Sequence, residues 1–104
     1  MRRNELLDLE ADTAEKAIRY NILRQLDLAG MSQNDLIPLL HISKGAVSQL
    51  LNGGSRFKFK QVFVLAKALN VTIDDLIDPT YMFEDEKKRS RMLGCDIERA
   101  KSQD

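Results

Sequence analysis

The chain has 104 residues, 43% of them hydrophobic, and its 16 basic and 16 acidic side chains cancel to a formal net charge of zero. That length and apolar content allow one domain with a modest core and exclude a second. The single cysteine, Cys95, excludes an internal disulfide framework and points to a reducing compartment, and one His with one Cys cannot build a zinc site alone.

Residues 1–11 read as an N-terminal extension, a short helix capped by Asn4 with Leu6, Leu7 and Leu9 on its apolar side. Acids recur every few residues there, and the longest unbroken apolar run in the whole chain is only Val62 to Ala66. Neither a signal-peptide core nor a membrane span fits such a pattern, so a soluble cytoplasmic protein is expected.

The folded domain is expected over residues 12–79. Asp12 or Thr13 caps its first helix, Ala17, Ile18, Ile22, Leu26 and Ala29 recur at helical spacing as a core stripe, and Gly30 ends it. The stretch from Ser32 to Gly53 then reads as two helices joined by a tight turn. Ser32 caps one running through Gln33, Leu36, Ile37, Leu39 and Leu40, and Ser43 caps one running from Lys44 to about Leu51. So short a connection forces a steep crossing over one apolar corner, filled by Leu36, Leu40, Ile42, Val47, Leu50 and Leu51. Lys44, Gly45, Ser48 and Gln49 fall on the opposite face of the second helix, and all are small or able to form hydrogen bonds. Such a face suits entry into a groove. Pro38 removes the hydrogen bond to the Asn34 carbonyl and predicts a bent or tightened first helix. His41 lies in the turn and can adopt a left-handed geometry at some cost.

After Asn52-Gly53-Gly54, a loop carrying Ser55, Arg56 and Lys58 leads to a fourth helix from about Lys60 to Leu69, with Val62, Phe63, Leu65, Ala66 and Leu69 inward and Asn70 closing it. Thr72 caps a short fifth helix that Pro79 stops. No alternating strand pattern occurs, so the fold class is all-α with five helices. Residues 80–104 form a charged C-terminal segment with six acids and six bases, expected to be helical through pairs such as Glu84 with Lys88 and Asp85 with Arg89. Its Leu93, Ile97 and Ala100 make a weak stripe interrupted by Gly94, so it is expected to dock on a second copy or another protein, or to be partly disordered.

The pieces S-Q-x-x-L, I-S-x-x-x-V-S-Q-L, N-G and L-A-K-A-L-N-V-T-I-D-D-L-I, at this spacing, resemble the helix-turn-helix domain of the phage repressor and Cro (XRE-type) family across roughly Thr13 to Pro79. His41 stands where that family usually has glycine, and Pro38 is a second departure. The resemblance implies a five-helix lambda-repressor-like domain and a bacterial or phage-encoded protein that works on the nucleoid. It places Lys44, Gly45, Ser48 and Gln49 toward base edges, and Gln33, Ser43, Asn52, Ser55, Arg56 and Lys58 toward phosphates or in positioning roles. Gln49 suits a bidentate contact with adenine and Lys44 a bond to guanine, while Gly45 leaves space for a thymine methyl. Zero net charge does not contradict this. Between Asp35 and Asp74 the chain has no acid, whereas Lys44, Arg56, Lys58, Lys60 and Lys67 lie in that interval. A basic stripe on a neutral protein directs binding to one face.

Catalysis finds no support: no Ser or Cys has a plausible His partner, no glycine loop cradles phosphate, and no carboxylate pair sits in a predicted cleft. His41 reads as a turn residue and Cys95 as a tail residue. No enzyme activity, cofactor, metal or membrane partner is expected. The leading expectation is a transcriptional regulator of the repressor or Cro type, binding a palindromic operator as a homodimer with the helix 44–51 in the major groove. Two alternatives stand beside it. One is an antitoxin with the same core, whose residues 80–104 bind a toxin protein; the other is an interaction module that does not bind DNA.

Overall fold

The computed structural model describes residues 3–90, so Leu93, Gly94, Cys95, Ile97 and Ala100 lie outside the described residues. No glycine or proline occurs between Arg3 and Ala29, and the chain forms one helix, α1 (Arg3–Ala29), about 40 Å long at 1.5 Å per residue. Residues 3–11 run unbroken into the helix expected from residue 12, and the caps expected at Asn4 and at Asp12 or Thr13 are therefore not used. Thr13 sits mid-helix, and its hydroxyl donates back to the Leu9 carbonyl at 2.9 Å, the alternative open to a threonine with helical chain on both sides. Residues 3–12 are exposed throughout, and burial begins only with Ala17, Asn21, Ile22 and Leu26. Gly30, with positive φ, closes the helix: its N–H donates to Asp27 and that of Met31 to Leu26, a Schellman end.

The first helix of the predicted pair is split. Gln33–Asp35 form a 3₁₀ turn and α2 spans only Leu36–Leu40. This places Pro38 in the first turn of α2, where its missing N–H would have had no helical partner, and so the proline is accommodated by tightening the chain before it. His41 ends α2 in the left-handed region, at φ 55 and ψ 43, its N–H donating to Ile37 at 2.9 Å. Helices α3 (Lys44–Asn52), α4 (Phe59–Ala68) and α5 (Ile73–Ile77) come next in the chain. Asn70, at φ 57, closes α4 as expected, and Thr72 caps α5 by accepting from the Asp75 N–H at 2.9 Å while its own N–H donates to the Asp75 carboxylate.

The core joins Ile22 and Leu26 of α1 to Leu36, Val47, Leu51, Val62, Leu65, Ala66 and Leu76, with Leu40 and Ile42 half-buried against it. Phe63, expected inward, is instead exposed on the outer side of α4 with the Lys67 ammonium 5.6 Å from its ring. At α4 the buried stripe is completed by Val62, Leu65 and Ala66 alone.

One buried polar residue ties the two ends of the domain together. The Asn21 side-chain amide donates to the carbonyls of Leu76 at 2.7 Å, Asp78 at 2.8 Å and Asp75 at 3.2 Å. A helix as short as α5 cannot satisfy its own last carbonyls, and Asn21 does so from α1. Pro79 ends α5 by holding Asp78 extended, and it also opens a further helix over residues 80–90. Asp78 caps that helix, accepting from the Thr80 hydroxyl at 2.6 Å and the Thr80 N–H at 3.0 Å. The hydroxyl first, and then the amide, hold the Asp78 carboxyl below its ordinary pKa. Met82 packs this helix down with only 7% exposure, and the Arg24 guanidinium stacks 3.8 Å over the Tyr81 ring. Among the described residues there is no strand.

Candidate nucleic-acid interface

The site is built around α3. Ser43 caps it with extended backbone, its hydroxyl accepting from the Ala46 N–H at 3.1 Å. Val47, Leu50 and Leu51 are buried, which turns Lys44, Gly45, Ser48 and Gln49 outward together. All four are exposed. A Cβ at Gly45 would meet nothing nearer than the Ser43 hydroxyl at 4.0 Å, so the helix surface there is open to a close approach by a partner.

The C-terminal end of α3 is more constrained. Gly53 adopts φ 91, a conformation that glycine tolerates and other residues resist, and the Arg19 guanidinium of α1 lies against it where a Cβ would overlap. Arg19 thereby brings a positive charge to the negative end of the α3 dipole. Asn52 is partly committed within the turn, its side-chain oxygen accepting from the Gly54 N–H at 3.0 Å. The Gln49 carboxamide lies over Gly54, against the end of the helix.

Gln33, Ser55, Arg56 and Lys58 are exposed around this helix. The Arg56 Nε lies 3.6 Å from a Glu15 carboxylate oxygen, and both side chains are open to water. An exposed pair of this kind holds by at most about 1 kcal/mol and yields readily to a phosphate. Glu15, Lys16 and Arg19 of α1 share one cleft with Gly53, Ser55 and Arg56, and sequence reasoning missed all three. Their helical spacing was visible, but nothing local said that this flank of α1 meets the end of α3.

A helix-turn-helix family model matches residues 22–76, more than half of the chain, and the matched segment contains all of α2 to α4. The chain belongs to the XRE-type, Cro/CI-like helix-turn-helix family. As a helix-turn-helix protein it is a DNA-binding transcription regulator, and the family is one of regulatory domains, not enzymes. No curated protein and no solved structure gives a significant match. Among the described residues no helix is long and apolar enough to cross a membrane.

Proposed function

We propose that this helix-turn-helix protein is a repressor that reads a palindromic operator as a homodimer, with α3 in the major groove. The observation that carries this reading is the single exposed strip of Lys44, Gly45, Ser48 and Gln49 on a helix whose other side is buried. Ser48 and Gln49 offer both donors and acceptors, Lys44 offers donors, and Gly45 leaves room, the combination needed to distinguish base edges in the major groove. Gln33, Ser43, Asn52, Ser55, Arg56 and Lys58 take the positioning contacts to phosphate, which fix register without reading sequence. Residues 12–79 bind DNA in this scheme, and residues outside them hold two copies together. The protein acts in the cytoplasm, where the DNA is.

One recognition helix spans only a few base pairs, so two copies on half-sites about 34 Å apart are required for a useful specificity. The test is binding to duplex DNA across a range of salt concentrations, joined to selection from randomised duplexes. A steep fall in affinity with salt and enrichment of an inverted repeat are expected. Binding indifferent to salt, or no enriched sequence, would remove the proposal.

A further inference from the structure

Four of the exposed large hydrophobic residues gather in one place. Leu6 and Leu9 of α1, 48% and 51% exposed, line one groove with Ile77, Pro79 and Phe83, the last 45% exposed. The polar residues of the lining are only Glu10 and Thr13. The other apolar residues of the 80–90 helix are already engaged, Met82 by burial and Tyr81 by Arg24, which leaves Phe83 facing the groove.

We infer that this groove is the self-association surface of the protein, and that its occupant is the same groove of a second copy. The inference rests on the operator-reading role above, which needs two recognition helices related by a two-fold axis. Three observations choose the occupant. First, residues 3–12 prolong α1 as an entirely exposed helix, and exposed leucines on a helical arm that packs on little else are stabilised by a partner laid along it. Second, the rim offers a charge of each sign for pairing: Glu10 borders the groove, and Lys87 lies one helical turn beyond Phe83, beside Glu86, in an adjoining concavity that Phe83 also lines. In a two-fold pairing Glu10 of each copy meets Lys87 of the other. Third, the groove and the α3-end cleft use different flanks of α1. Leu6, Leu9, Glu10 and Thr13 line the one, Glu15, Lys16 and Arg19 the other, so the second copy leaves the DNA face open.

The experiment is sedimentation of the full chain without DNA, for wild type and for Leu9→Glu, Phe83→Glu and, outside the groove, the exposed Phe59→Glu. Wild type and Phe59→Glu should sediment as dimers at micromolar concentration. Leu9→Glu and Phe83→Glu should be monomers with unchanged helical circular dichroism, the dimer dissociation constant rising about a hundredfold because each substitution enters the interface twice. A monomeric wild-type chain, a dimer that survives either groove substitution, or a dimer lost equally with Phe59→Glu would overturn the inference. On DNA, Leu9→Glu should lose the advantage of a full palindrome over a half-site. A chain that dimerises through the groove but selects no sequence would remove the operator reading and leave the interface standing.

Discussion

On the α3 face the outward residues are Lys44, Gly45, Ser48 and Gln49, with Arg56 and Lys58 on the loop beside them. In the groove along α1 they are Leu6, Leu9, Ile77 and Phe83. The first face is polar, basic and contiguous in sequence; the second is apolar and assembled from segments more than sixty residues apart. An exposed polar face loses little when water covers it, so it persists without a partner. An exposed apolar groove gains free energy only when something covers it. Asn21 braces the second face: it fixes the end of α5 to α1, and its bond to the Asp78 carbonyl holds the chain just before the helix 80–90.

Replacing Asn21 has the largest expected effect. Asn21→Leu leaves the buried Leu76 carbonyl without its donor, at about 1–3 kcal/mol for a buried group unpaired, and also removes the part-buried bonds to Asp75 and Asp78. The loss should be about 2 kcal/mol, with a thermal midpoint lower by about 4–8 °C for each kcal/mol. The groove should suffer first, since it loses its Phe83 wall as α5 loosens. A midpoint that holds would mean that water takes over the carbonyls.

Gln49→Ala should separate the faces. Binding to the selected operator should weaken by about 1–3 kcal/mol, with relaxed discrimination at one base pair, while stability and sedimentation stay as in wild type. Unchanged preference in a randomised-site selection would take Gln49 off the reading surface.

The α3 face was readable in the sequence because its signals are local: a cap at Ser43, buried positions at Val47, Leu50 and Leu51, and an acid-free interval around the bases. The five helices were legible through the same kind of signal. The α1 boundary was not, because Asp12 and Thr13 are good caps only where the preceding chain leaves the helix, and Glu10-Ala11 gives it no reason to leave. Pro79 read as a stop, and its second role, opening the next helix under the Asp78 cap, depends on Thr80 and the residues after it. Asn21 lay unnoticed in an apolar stripe, its meaning supplied by carbonyls more than fifty residues away. Leu6, Leu9 and Phe83 could be recognised as surplus, but only the fold shows that they are neighbours.

His41→Gly addresses the turn between α2 and α3. The histidine is exposed and held at φ 55, a conformation that glycine adopts freely, so the substitution should raise stability by about 0.5–1 kcal/mol. A lower thermal midpoint would show that the imidazole contributes more than its strain costs.

The smallest effect is expected where α1 reaches the loop after α3, at the Glu15–Arg56 pair. An arginine that leaves a carboxylate for a phosphate gains less than one that starts in water, and the carboxylate it abandons then faces the phosphates and repels them. Glu15→Gln removes both penalties. Affinity should rise by up to about 1 kcal/mol on specific and non-specific duplex alike, because phosphate contacts carry no sequence information. The salt slope should steepen by at most about one, one more phosphate being neutralised at full effect. Thermal stability should fall by no more than about 1 kcal/mol, the worth of an exposed ion pair. Arg56→Ala in the same background should abolish the gain. If Glu15→Gln leaves the slope unchanged while Arg56→Ala makes it shallower, the arginine reaches phosphate without releasing its partner, and Glu15 belongs to the scaffold alone.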